Sequence, residues 1–259
     1  SEQRLRPLSG GHIQRCLSSH QVKTLLEVGG RLVAEDLRPF QTAINQLGAP
    51  ILTFDRLVTL LEQAMAQQVP GEVQVEAERL ESFYRPLWSM VNDLLPDVAS
   101  THPGSHPSVR PLLAIPFIVT EDLYAVTISQ SFVAPAALDA GRVASLLPRL
   151  AIAAHHILGF PKIARLIRQL ELGAVVNHIS SMCATEAVDD VIGVEQQELR
   201  DLYSMFADLD RQSNVEKAVY QALRNLPIWL SSRGLIKATQ ALLPGNFTDP
   251  TGQADLLET

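Results

Sequence analysis

Arg85-Pro86-Leu87-Trp88-Ser89-Met90-Val91-Asn92-Asp93-Leu94 returns 115 residues later as Arg200-Asp201-Leu202-Tyr203-Ser204-Met205-Phe206-Ala207-Asp208-Leu209. Both stretches read R-x-L-aromatic-S-M-apolar-x-D-L. Self-similarity at a fixed period is the signature of repeat architectures, so it takes precedence over any short motif. Two further anchors keep the same order. Leu47-Gly48-Ala49 recurs as Leu172-Gly173-Ala174 at an offset of 125, and Ile115-Pro116-Phe117-Ile118 recurs as Leu226-Pro227-Ile228-Trp229 at an offset of 111. A steadily shrinking offset is what a second copy with shorter loops produces.

A third, partial copy links the two ends of the chain. Leu17-Ser18-Ser19-His20-Gln21-Val22-Lys23 near the start parallels Leu230-Ser231-Ser232-Arg233-Gly234-Leu235-Ile236-Lys237 near the end. The predicted organisation is therefore a partial unit over 1–46 (hairpin and following helix), a full unit over 47–171 and a second, truncated unit over 172–259. The chain is expected to start and stop partway through a unit.

Within one unit, residue patterns predict a small hairpin and a helical bundle. Ile115 to Ile118 is an apolar run, Thr120-Glu121-Asp122 supplies turn residues, and Leu123 to Ile128 resumes with β-branched and aromatic side chains. In the last copy Ser231-Ser232-Arg233-Gly234 takes the place of the turn, with Gly234 free to adopt positive φ. By the same parallel, Ser18 to Gln21 is expected to be a hairpin turn.

Leu52 to Ala66 carries Phe54, Leu57, Val58, Leu61 and Met65 at helical spacing, with Thr53 placed to cap. Glu78 to Leu95 and Glu195 to Asp210 repeat one apolar stripe. Pro86 either kinks the first of these or opens its second half. Val143 to His156 and Ala164 to Leu170 are predicted as further helices, and Leu94 to Arg110 as a polar linker. The fold class that follows is α+β and helix-dominated, with repeated units of helical bundle plus small β-hairpin in an elongated arrangement.

Composition narrows the function. Of 259 residues, 46% are hydrophobic and 19% charged, ordinary for a globular chain, and the formal charge is −7. Phosphate neutralisation needs a basic stripe, and the basic residues are dispersed singly, so no nucleic-acid partner is expected. Cys16 and Cys183 are too few and too far apart for a disulfide framework, which points to a reducing, cytoplasmic setting. The longest apolar run, 146–160, is interrupted by Arg149, His155 and His156, so no membrane span is expected.

Candidate chemical groups are sparse. His12, Cys16 and His20 stand at i, i+4 and i+8, but positions eight apart on a helix are separated by about 12 Å along its axis, too far to share one metal. His178 and Cys183 could form a base–nucleophile pair, yet no orienting acid or oxyanion motif accompanies them. The adjacent His155 and His156 would diverge on an α-helix. Phosphate-cradling glycine loops are absent, and Asp139-Ala140-Gly141-Arg142-Val143 departs from the D-x-G-x-G of Hsp90-type ATPases at Val143. Trp88 and Tyr203 belong to amphipathic stripes and are expected in the core. No catalytic, cofactor-binding or metal-binding residue is predicted, and no cofactor or small-molecule substrate.

Over 190–258, Leu226-Pro227-Ile228-Trp229, Gly234-Leu235, Ala241-Leu242-Leu243-Pro244-Gly245-Asn246-Phe247-Thr248-Asp249-Pro250 and Ala254-Asp255-Leu256-Leu257 follow one another. With the helices holding Leu199 to Tyr203 and Val219 to Arg224 before them, they resemble the repeat region of sacsin and sacsin-like proteins. There an L-P-I/L-F hairpin follows a helical pair and leads into an L-P-x-x-F-x-D-P-type loop. The resemblance is more dilute over 40–160. It implies a segment of a very large chaperone-like protein lying outside the Hsp90-like ATPase modules, because the motifs of those modules are missing here. The function expected on that basis is a non-catalytic, chaperone-type scaffold that contacts client or partner proteins through exposed apolar helix positions and the 96–110 loop. The alternatives are a structural adaptor that binds one defined protein, and an enzyme whose site is assembled from scattered residues such as His178 and Cys183.

Overall fold

A computed structural model of the chain describes residues 17–30, 52–97, 109–184, 196–212, 215–231 and 234–237. They form a helix-dominated α+β structure. In chain order the main elements are α1 (Ser19–Glu27), α2 (Phe54–Met65), α3 (Arg85–Leu94), β1 (Ile118–Val119), β2 (Ala125–Val126), β3 (Phe132–Val133), α4 (Ala140–Leu146), α5 (Leu172–Cys183), α6 (Gln196–Gln212), α7 (Lys217–Asn225), β4 (Trp229–Ser231) and β5 (Gly234–Ile236). The chain divides into two compact units. One comprises 1–133 with 153–168, and the other 134–152 with 169–259. Ala134–Ile152 thus groups with the later residues.

The first unit is organised around α3. A helical turn at Ala77–Arg79 widens into a π turn at Leu80–Tyr84, where the Arg85 N–H reaches back to the Leu80 carbonyl, and α-helix resumes with Pro86 in its first turn. Proline has no N–H to give to a carbonyl one turn back. Placing it at the opening of a new helical segment, after a widened turn, removes the conflict. Of the two alternatives for Pro86, the second is the one found. Leu87, Trp88, Met90 and Val91 are buried by α3, while α1 and α2 bury Leu25, Leu57, Leu60 and Leu61 in the same unit.

Three expectations fail for identifiable reasons. Ser18 to Gln21 is not a hairpin turn. Ser18 caps α1, its hydroxyl accepting from the Gln21 N–H at 3.2 Å while the Gln21 side chain accepts from the Ser18 N–H at 2.8 Å. Gln21, three residues after Ser18, completes a capping box that starts a helix there. Next, the helix predicted over 143–156 stops at Leu146, because Pro148 cannot continue it and Arg149 adopts a positive φ of 66°. A separate 3₁₀ turn follows at His155–Gly159. Lastly, Ala164 to Leu170 is not a helix. One turn at Pro161–Ala164 gives way to extended Arg168, which donates to the Ser129 carbonyl at 2.8 Å and lies over the Phe132 ring. Residues 98–108 of the predicted linker, like His12, Cys16 and Asp249-Pro250, lie outside the described residues; its flanks, Leu95 and Val109, are buried.

The first hairpin has the predicted place and turn. Ile118 pairs with Val126 and Val119 with Ala125. The turn closes through Leu123 N–H to Thr120 O at 2.9 Å, with Leu123 at φ 61°. Extended residues on both sides widen this ribbon. Val73 and Val75 hydrogen-bond to the Leu123–Ala125 stretch, and Ala154 donates to Val119 O at 2.9 Å on the far side of β1. Ala153 in turn donates to Phe132 O in β3 at 2.8 Å. Residues 153–168 therefore act as a strap that completes the hairpin's sheet. The strap also buries Ile157, Ile163 and Ile167, and it brings Phe160 edge-on to Trp88 with ring centroids 5.8 Å apart.

The second unit packs α4, α5, α6 and α7 and ends in the hairpin β4–β5, where Trp229 pairs with Ile236 and Ser231 with Gly234. Leu172 sits at the start of α5, and Gly173 beside it faces α7, where a Cβ would meet Val219 at an ordinary contact distance of 3.4 Å. One hydrogen bond occurs in both units. The Trp88 indole N–H donates to the Phe117 carbonyl at 2.8 Å, and the Tyr203 hydroxyl donates to the Ile228 carbonyl at 2.6 Å. Both donors come from the R-x-L-aromatic stretch, and both acceptors from the third position of the Ile/Leu-Pro segment. Phe117 and Ile228 are each fully buried, as are Leu87 and Leu202.

Candidate interaction surface

The side chains most suited to chemistry are engaged with the chain's own backbone. His178 and Cys183 share α5, but five positions apart they lie about 140° from each other around the helix axis. The His178 Nε2 donates to the Pro148 carbonyl at 3.0 Å, and burial holds its imidazole below the ordinary 6.5. Burial pushes the Cys183 thiol up, away from the thiolate a nucleophile needs. Asp139 is explained by local structure as well, since its carboxylate caps α4 by accepting from the Arg142 N–H at 3.0 Å. His20 is exposed in the first turn of α1.

The shift at His178 gives a pH dependence of defined sign. Its folded pKa is lower than its unfolded one, so the unfolded chain binds more protons as the pH falls below about 6.5. The stability linked to this group is complete above that pH and declines below it, toward the folded value. His178→Gln keeps a donor for Pro148 O and removes the titration. Urea unfolding at pH 7.5 and pH 5.5 should show a smaller acid loss for the variant than for the parent; equal losses would contradict the assignment.

His155 and His156 do not diverge. The 3₁₀ turn brings their rings to 3.9 Å between centroids. The Glu121 carboxylate, at the tip of the first hairpin, accepts from the His155 N–H at 2.6 Å and lies 3.1 Å from its Nδ1, tying the hairpin to the strap. Desolvation, with the neighbouring Glu121 charge second, raises the carboxyl of Asp122. Among the described residues no group of three His, Cys, Asp or Glu side chains could hold a metal, and no helix is long and apolar enough to cross a membrane.

Large apolar side chains do remain on the surface. In the first unit these are Leu26, Val69, Tyr124 and Leu158, and in the second Tyr220, whose hydroxyl reaches Asp210. Val69 and Tyr124 belong to one neighbourhood. Gly71, two residues after Val69, donates to the carbonyl of Ala125, the residue after Tyr124, at 2.8 Å. Gln74 and Tyr124 are an antiparallel pair, so their side chains share a face.

None of these positions was singled out from the sequence, although a signal stands there. Val69-Pro70-Gly71 punctuates the chain, and Glu72-Val73-Gln74-Val75-Glu76 alternates polar with β-branched residues as a half-buried strand does. No family model, no curated protein and no solved structure matches the chain.

Proposed function

We propose that the chain is a non-catalytic protein-interaction segment of the chaperone-scaffold kind, like the sacsin-type repeat region it resembles, acting on client or partner proteins in the cytoplasm. The observation that carries this reading is a division of labour among side chains. The indole of Trp88, the hydroxyl of Tyr203, the imidazole of His178 and the carboxylate of Glu121 all bond to backbone groups of the chain itself. Val69, Tyr124, Leu26 and Leu158, by contrast, leave apolar surface open. Exposed apolar side chains near one another mark protein contacts rather than chemistry.

The repeat belongs to the same proposal. Each unit is one copy of a helical bundle followed by a hairpin, and the aromatic-to-carbonyl hydrogen bond fastens the one to the other. Its occurrence at matching positions supports that reading.

Light scattering from heat-unfolding citrate synthase, with and without equimolar chain, tests it. The expected result is suppressed scattering that is the same with and without ATP. The double variant Val69→Ser/Tyr124→Ser, which removes two exposed apolar side chains flanking the Gly71–Ala125 hydrogen bond, should lose about half of the suppression. Unchanged scattering at tenfold excess of the chain would sink the proposal.

A further inference from the structure

Val73 to Glu76, which follow a turn closed by Glu72 N–H to Val69 O at 3.2 Å, form the outer edge of the first unit's small sheet. Val73 O accepts from Ala125 N–H at 3.0 Å and Val75 N–H donates to Leu123 O at 2.7 Å, so both valines spend these groups inward on the hairpin. Gln74, between them, pairs with Tyr124 without hydrogen bonds, which turns its own N–H and carbonyl away from the sheet. Along an extended chain every second residue faces the same way. Gln74 N–H and O and Glu76 N–H consequently form an outward row, and among the described residues none of these groups has a backbone partner. The side chains of Glu72, Gln74 and Glu76 are all exposed.

The charge at this edge has one sign. No Lys or Arg occurs from Leu57 to Glu78 or from Pro111 to Gly141, the two stretches that build the strand and its hairpin neighbours. Glu72, Glu76 and Asp122 enter no ion pair among the described residues, whereas Glu121 is engaged by His155. Tyr124 adds a partly exposed aromatic ring on the Gln74 face.

We infer that the Val73–Glu76 edge binds an extended, basic peptide segment of another protein as an added strand, the main-chain row fixing register and the flanking carboxylates of Glu72 and Glu76 selecting Lys or Arg at alternate positions. Strand addition draws affinity from main-chain hydrogen bonds and specificity from alternate side chains. Uncompensated carboxylates beside such an edge favour a cationic strand, and the Tyr124 face suits a Lys or Arg head. The opposing account is that Glu72 and Glu76 merely guard an edge against pairing, as charged residues do on many sheets. The two differ in what a basic strand does. This inference names a partner class for the surface proposed above and rests on that reading.

The test uses the whole chain and a fluorescein-labelled nine-residue peptide of alternating Lys and Val, read by anisotropy at low salt. Controls are an alternating Glu–Val peptide and two Lys–Val peptides N-methylated at every second residue, in the two possible phases. Saturable binding of the Lys–Val probe is expected. The Glu–Val probe should not bind, and affinity should fall at least about tenfold for one methylated phase and for Gln74→Pro, each of which removes main-chain bonds. Glu72→Lys/Glu76→Lys should weaken binding by a similar factor. Equal binding of both methylated peptides would reduce the contact to charge attraction and overturn the inference, and so would absence of binding. If Gln74→Pro unfolds by circular dichroism, the methylated peptides decide alone. Suppressed client aggregation without peptide binding would leave the proposed function standing and remove only this edge.

Discussion

Trp88→Ala destabilises the first unit by about 3–5 kcal/mol, the range for emptying a fully buried aromatic site. The indole is wholly buried, packs edge-on against Phe160 and donates to Phe117 O. Alanine therefore leaves both a cavity and a buried carbonyl without its donor. The two losses separate experimentally. Trp88→Phe keeps much of the apolar volume and drops the hydrogen bond, for an expected cost of about 1–3 kcal/mol from the orphaned acceptor. Tyr203→Phe removes the corresponding bond in the second unit with little change of shape, and should cost about 1 kcal/mol there. Urea unfolding followed by circular dichroism, with hydrogen exchange to assign each loss to a unit, checks all three. A Trp88→Ala protein as stable as the parent would show that the helix and hairpin of the first unit are held elsewhere.

A larger effect is expected from replacing residues 153–168, within the full chain, by a Gly/Ser linker of equal length. The strap buries Ile157, Ile163, Leu166 and Ile167, which at about 1.5–3 kcal/mol each amounts to roughly 6–12 kcal/mol. That is comparable to the whole stability of an ordinary domain. The replacement also takes the His155 ring from Glu121 and the apolar side chains that seat the Ala154 N–H on Val119 O. Amide exchange over 118–126 should then lose its protection, while α5 and α6 keep theirs. Persistent protection at the hairpin would mean that β1 and β2 stand without their outer neighbour.

The helices were legible where an apolar stripe coincided with a capping signal. Thr53 before Phe54–Met65 is such a case, its hydroxyl accepting from the Arg56 N–H. The first hairpin was legible because Thr120-Glu121-Asp122 interrupts two apolar runs. What escaped was set by single residues or by distant partners. Ser18 and Gln21 form a capping box that starts a helix where a hairpin was predicted, and likeness of pattern to 230–237 concealed it. Arg149 at positive φ ended a helix that composition alone would have continued. The strap could not be foreseen at all, because its contacts with Val119, Glu121 and Trp88 lie more than thirty residues away in the chain. At the candidate surface, the alternation of 72–76 was readable, but the open side of that strand depends on where the hairpin lies.

The route of the chain, which leaves the first unit after Val133 and returns to it at Ala153, has a consequence for the protein while it is being made. Synthesis proceeds from the N-terminus at about 5–20 residues per second, so β1 and β2 emerge roughly 2–8 s before the strap that covers them. During that interval the Val119 carbonyl and the Phe160 side of Trp88 have no cover, and the next segment to emerge, 134–152, belongs to the other unit. The nascent chain thus passes through a stage in which an unpaired strand edge and a large aromatic ring face the surrounding medium together. This is the kind of species that ribosome-associated factors shield.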